Sequence, residues 1–235
     1  MRVMNDWDCR LFPMSGEQVA SPAETVKAMR LLKEKYNIKR FFLTPCFDAS
    51  AESASSFLWK RRQYQAELKQ LLPSELTVRC GAVPLLTKEL SDCRALSHFR
   101  FPKTNYLPLR LPLLPSGNWV HAELNYFLYH TPYRVLFYAF DSLLPFYSMD
   151  DILRWSRLPN VAYCFRYQAL ESPELRSMMR EILSRNQPIL FGTGVQSYEK
   201  ACYLEIDRYL ELASSHFTEL ECDRLFHGHQ RLYRS

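Results

Sequence analysis

The sequence predicts an α/β fold in which a parallel sheet closes into a barrel. Three observations point to it. Short apolar runs alternate with stretches of helical spacing along the chain, the pattern of parallel strands joined by crossover helices. Roughly seven such units fit into 235 residues, a length at which α/β barrels run undivided. No sustained hairpin signal and no dinucleotide-type glycine fingerprint favours an open sheet instead.

Taken in order, the elements explain themselves. Asn5 to Pro13 reads as a first strand running into a polar turn. Ser21-Pro22-Ala23-Glu24 is a helix start, with Ser at the N-cap, Pro at the first helical position and Glu at the third. Val26, Met29, Leu32 and Tyr36 follow at helical spacing, and Asn37 ends the run. Lys39 to Thr44 is a buried strand stopped by Pro45. Ala54 to Leu72 is helical, with Phe57, Tyr64, Leu68 and Leu71 on one face. Leu76 to Cys80 is a strand closed by Gly81, and a helix is expected over about 87 to 97.

Tyr106 to Leu113 reads as a strand that leaves the sheet at Pro112. Asn118 to His130 is a helix carrying Val120, Leu124, Phe127 and Leu128. Arg134 to Ala139 is a strand, Met149 to Leu158 a short helix, and Val161 to Tyr167 a strand. Ser172-Pro173 opens a helix with Leu175, Met179, Ile182 and Leu183 facing inward. Pro188 to Phe191 is a strand entering Gly192-Thr193-Gly194. Ser197 to Ala213 is a helix, and Thr218 to Glu221 is a capping box for a last one. No repeat or linker divides the chain, so one domain over 1–235 is expected.

Composition narrows the function. At 47% hydrophobic and 14% aromatic, the chain can bury a sizeable core. The net charge of +5 suits a small anionic ligand or a phosphopeptide. No basic stripe with interleaved aromatics speaks for nucleic acid, and Lys60-Arg61-Arg62 reads as a solvated helix face. Seven irregularly spaced cysteines without a CxxC pair match a reducing compartment. With no apolar leader and no membrane-length run, a cytoplasmic location without a membrane span is expected.

In an α/β barrel the site lies at the C-terminal strand ends. Those positions hold Asp8, Cys9, Arg10, Cys46, Asp48, Val83, Arg110, Asp141, Arg166 and Thr193. Asp8 and Arg10 are two apart and share a side of an extended backbone. Metal-assisted hydrolysis needs converging His and carboxylate ligands, yet none of the six histidines falls at a strand end. Asp8, Cys46, Asp48 and Asp141 are weak metal candidates at most. His227-Gly228-His229 has two-ligand alternation but lies in a tail. Cys202-x5-Arg208 has the spacing of thiol-based phosphatases, but it is glycine-free and reads as mid-helix. Gly192-Thr193-Gly194 could seat an anion but lacks a P-loop Lys, so it reads as a plain turn. Cys9 and Cys46 read as buried inert thiols.

On these residues the chain resembles the PHP-superfamily tyrosine phosphatases of capsular and exopolysaccharide operons (the CpsB/YwqE type). The family's opening Asp-x-His-x-His-x-x-Pro frame reads here as Asp6-Trp7-Asp8-Cys9-Arg10-Leu11-Phe12-Pro13. Its Ala-Thr-Pro-His-Phe appears as Leu43-Thr44-Pro45-Cys46-Phe47, and its Gly-x-Glu as Gly81-Ala82-Val83. Asn105 to Pro112 is similar to its strand ending in Glu-Phe-Pro. Its Ala-His-Pro-Glu-Arg segment becomes Tyr138 to Ser142, and its Ser-Asp-Ala-His becomes Gly192-Thr193-Gly194-Val195.

The resemblance implies a distorted (β/α)7 TIM-like barrel (the PHP fold), a cluster of Mn-type ions, and hydrolysis of phosphotyrosine on a partner kinase. Its ligand positions are occupied here by Asp8, Arg10, Cys46, Ala139 and Val195, with Val83 for the bridging Glu and Thr193 for the Ser-Asp acid. An Arg that cannot be neutralised repels a metal and attracts anions. The expectation is a non-catalytic member with no metal cofactor, an anion held by Arg10 with Arg110 and Arg166, and a tyrosine kinase or polysaccharide-assembly protein as partner. A homo-oligomer is compatible with it. The alternative is a working phosphatase using one Mn or other divalent ion, or a cysteine nucleophile.

Overall fold

The computed structural model describes residues 4–12, 21–88, 90, 93–112, 119–138 and 147–227. Nine strand segments alternate with nine α-helices among them: β1 (Met4–Cys9), α1 (Pro22–Tyr36), β2 (Ile38–Leu43), β3 (Cys46–Phe47), α2 (Ala54–Leu71), β4 (Thr77–Cys80), β5 (Val83–Pro84), α3 (Leu96–Phe99), β6 (Tyr106–Leu109) and α4 (Trp119–His130), then β7 (Arg134–Phe137), α5 (Met149–Trp155), β8 (Val161–Arg166), α6 (Pro173–Ser184), β9 (Ile189–Gly192), α7 (Tyr198–Cys202), α8 (Ile206–His216) and α9 (Glu219–His227). Every strand pairing is parallel, as the alternation predicts. The fold is therefore α/β with parallel sheets.

The helices begin and end where the local chemistry says. Ser21 accepts from the Glu24 amide while Glu24 accepts from the Ser21 amide. Asn37 closes α1 in the left-handed region, at φ 55°. Thr218 and Glu221 make the same reciprocal box before α9. Each such cap supplies about 1 kcal/mol by satisfying otherwise orphaned amides.

Three sequence expectations change. The helix expected over 87–97 is, among the described residues, only Leu96–Phe99 preceded by turns. The helix expected over 197–213 is broken into α7 and α8. Tyr36 donates to the Leu204 carbonyl at the break, so that backbone oxygen bonds a side chain rather than continuing a helix. Cys202 and Arg208 therefore lie on different helices, not mid-helix in one. Leu71, expected on the buried face of α2, is 47% exposed.

The strands are hydrogen-bonded in three groups, β1-β2-β4, β3-β5 and β6-β7-β8-β9. β3 continues the course of β2 past Thr44-Pro45, and β5 continues β4 past Gly81-Ala82. Among the described residues, backbone hydrogen bonds join the groups at two seams. Arg110 bridges to Leu85, with the Leu86 amide on the Arg110 carbonyl at 2.8 Å. At the other seam the Gly194 amide donates to the Asp8 carbonyl at 2.8 Å, and the Arg10 amide to Val195 at 3.0 Å. Only glycine fits at 192, because a Cβ there would fall 2.2 Å from the Asp8 Cβ.

Two cores result. The larger lies between strands and helices. The smaller draws Trp7, Phe42, Val83, Tyr106, Leu136, Tyr138, Ala162, Cys164 and Leu190 from strand after strand. Trp7 stacks on Phe42 at 3.8 Å, filling its centre. No helix among the described residues is long and apolar enough to cross a membrane.

Candidate functional site

The C-terminal ends of β1 and β9 gather the polar residues. Asp6 and Asp8 lie two apart in β1, and a register shift falls between Asp6 and Cys9. Asp8 is 2% exposed. Arg10 grips it from two nitrogens, with Nε 3.0 and 3.1 Å from the carboxylate oxygens and Nη2 2.9 Å from Oδ2. Thr44 Oγ1 donates to Asp8 Oδ1 at 3.0 Å.

Asp6 is fully buried. It accepts from the Thr193 amide at 2.8 Å, the Thr193 hydroxyl at 2.7 Å and the Asp8 amide at 3.2 Å. Burial outweighs these bonds and raises its pKa to about 6. The amides of Thr193 and Gly194 thus have internal acceptors: Thr193 donates to Asp6 and Gly194 to the Asp8 carbonyl.

Cys46 stands between two arginines. Arg110 Nη1 lies 3.9 Å from its sulfur. Burial pushes the Cys46 thiol up, Arg110 and Arg10 oppose the shift, and Asp8 adds to it. Cys9 is fully buried and its thiol is raised further, again mainly by desolvation. Arg110 Nε is buried and makes no hydrogen bond among the described residues. The structure brings Asp8, Arg10, Cys46, Arg110 and Thr193 into one neighbourhood.

Arg166 lies across Gly194 from Asp8: a Cβ on Gly194 would sit 2.6 Å from Arg166 Cδ and 3.9 Å from Asp8 Oδ2. It also lines a 370 Å³ cleft with Thr193, Lys200, Tyr203 and Glu205. Asp48 turns away, capping Ser50 through both its amide and its hydroxyl. Val83 packs in the smaller core beside Cys46. Asp141 and Ala139 lie outside the described residues, as do Gly228 and His229.

These donors do not fit a cluster of divalent ions. Both oxygens of Asp8 face a guanidinium, both oxygens of Asp6 hold Thr193, and the Cys46 thiol is held toward its neutral form. Metal ligation needs deprotonated, available donors. Among the described residues no group of three or more His, Cys, Asp or Glu could hold a metal ion. Asp6 and Thr44 are the site residues the sequence reading passed over. The signal was present: Asp6 heads the opening frame, and Thr44-Pro45 is the short motif kept whole.

Fold and site together define a parallel α/β protein whose polar residues converge at the strand ends. No protein-family model matches the chain, and no curated protein does. Among solved structures it is similar to a chain from the crystal structures of YwqE from Bacillus subtilis and CpsB from Streptococcus pneumoniae, described as metal-dependent tyrosine phosphatases. The TM-score is 0.72 at 13% identity, covering 98% of this chain and 94% of that one. It is also similar to histidinol phosphate phosphatase from Lactococcus lactis, solved with zinc, L-histidinol and phosphate, with TM-score 0.51, 11% identity and coverage of 88% and 93%. At these identities the likeness establishes the fold.

Proposed function

We propose that this chain is a non-catalytic relative of the metal-dependent phosphatases whose fold it shares, acting as a binding or regulatory protein. One observation carries the reading: the Arg10 guanidinium is clamped on Asp8 where the sequence resemblance puts metal ligands. A guanidinium stays charged at any physiological pH, so it occupies the place of a divalent cation permanently. In this reading the strands form one distorted seven-stranded barrel, a single unit over 1–235, and the smaller core is its interior. Arg110 is the group best placed to hold a phosphate or carboxylate at the mouth, since its Nε has no internal acceptor among the described residues. Arg10, the other guanidinium near Cys46, and Arg166, across Gly194 from Asp8, would extend the site. A phosphorylated kinase or another polysaccharide-assembly protein in the cytoplasm, with this chain as monomer or homo-oligomer, is the partner class the resemblance supplies.

The competing reading, a working phosphatase with one metal or a cysteine nucleophile, asks for a thiolate at Cys9 or Cys46. Burial pushes both thiols the wrong way. The test is metal analysis of the purified protein, with phosphotyrosine-peptide hydrolysis measured after adding Mn, after chelation and after thiol alkylation. Background rates throughout are expected. Two or more tightly held Mn, Fe or Zn ions per chain, or activity that chelator abolishes, would overturn the proposal. Arg110→Ala is expected to abolish phosphate binding at the mouth.

A further inference from the structure

A second basic cavity lies where the sheet groups part. β5 meets β6 only at its upper end, through Leu85 and Arg110, and among the described residues no ladder joins β4 to β6. The segment following α3 fills part of the opening: the Ala82 amide donates to the Phe99 carbonyl at 2.8 Å, and Phe101 packs over Gly81, where a Cβ would come within 2.8 Å of its ring. The rest is a cavity of 760 Å³, within the range of small-molecule sites.

The lining is strongly one-signed. Arg61, His98, Arg100, Lys103 and Arg134 face the cavity, and no described lining residue is acidic. None of the four Arg and Lys side chains pairs with a carboxylate among the described residues. Arg61 Nη1 donates to the Gly81 carbonyl at 3.1 Å, while its Nε is buried and bonds nothing described. Arg100 lies over the Tyr133 ring at 4.7 Å. Arg134 stands beside the buried Tyr106 hydroxyl. Like charges gathered around one cavity repel each other. A site of this kind becomes favourable when an anion enters, and arginine forks match phosphate oxygens in pairs.

We propose that this cavity, bounded by α2, the end of β4, the 97–106 segment and the first residues of β6 and β7, binds a small polyanion carrying two or more phosphate groups. The Arg61 fork at its inner end and Lys103 and Arg134 at its rim would hold separate phosphates. The site is independent of the mouth, because Tyr106 and Arg134 start their strands whereas Arg10 and Arg110 follow strand ends.

The test is calorimetric titration of the full chain with methylenebisphosphonate, a non-hydrolysable pyrophosphate analogue, and then with a nucleoside diphosphate. Both are run on the wild type and on Arg110→Ala, which removes the proposed anchor at the mouth. Saturable binding at one equivalent with Kd below about 1 mM is expected in Arg110→Ala, weakening as salt is raised, and the wild type is expected to show this same event beside any binding at the mouth. Lys103→Gly, which suits that residue's φ of +61°, and Arg134→Gln are each expected to weaken it about tenfold. Tighter binding of the nucleotide would point to an organic diphosphate, and equal binding to free pyrophosphate. No saturation of Arg110→Ala by either probe, or binding to it that survives both cavity substitutions in protein shown folded by its melting curve, would each overturn the proposal. Neither result bears on the mouth reading, which fails instead if phosphate binding is the same in the wild type and in Arg110→Ala.

Discussion

At the ends of β1 and β9, positive charge meets negative charge at hydrogen-bond distance, whereas in the cavity between β4 and β6 it does not. Arg10 has Asp8, and the neutral Thr193 amide and hydroxyl donate to Asp6. Arg61, Arg100, Lys103 and Arg134 have carbonyls, rings or open space. Apart from Arg110, the strand-end groups are therefore satisfied within the protein, and the cationic groups of the cavity are left for something that arrives.

The largest expected effect breaks the mouth's seam. Gly192→Ala puts a methyl against Asp8 backbone and Cβ, at 2.2 to 2.6 Å, and is expected to cost about 3 kcal/mol in chemical denaturation. Gly81→Ala in the cavity wall meets the Phe101 ring and the Phe99 carbonyl at 2.8 and 2.9 Å. The ring can shift, so about half that cost is expected. Equal costs would mean that the seam is no tighter than the cavity wall.

Next is the ion pair. Arg10→Ala leaves the carboxylate of Asp8 buried with Thr44 alone, for an expected loss of about 2 kcal/mol. This is below the full value for a wholly buried pair because Arg10 is 22% exposed. The double change with Asp8→Asn is expected to cost less than the sum of the two, which is the signature of direct coupling.

The buried Asp6 supplies a pH signature. Its folded pKa, about 6, lies above the 3.8 of an ordinary Asp. The folded state then binds the proton more tightly, so this contribution is complete below pH 3.8 and is lost as pH rises through about 6. The stability difference between the wild type and Asp6→Asn is expected to shrink over that window. A difference that grows with pH would show that Thr193 outweighs desolvation. Smallest is Lys103→Gly, expected to change stability by less than about 0.5 kcal/mol, since Lys103 is exposed at the cavity rim.

The helix starts, the parallel alternation and the inward faces of α1, α4 and α6 were legible in the sequence because each depends on residues within one or two turns. The break at Leu204 was not, since it rests on a bond from Tyr36 to a residue 168 positions later. The Asp8–Arg10 pair was half legible: the spacing of two placed both on one side, but not their contact. Arg61 was misread as a solvated charge. Its helix position is ordinary, and only the neighbouring Gly81 carbonyl turns it inward.

By itself the sequence determined the class of fold, the caps and which side chains stand at the strand ends. Those follow from periodicity, from local hydrogen bonding and from which side chains are present at all. The tertiary structure alone decided which charges neutralise each other and which are left facing a cavity. Whether a buried charge finds partners depends on distances of a few ångströms, such as that between the Asp6 carboxylate and the neutral amide and hydroxyl of Thr193, 187 positions away along the chain, and no local pattern in the chain encodes such a distance.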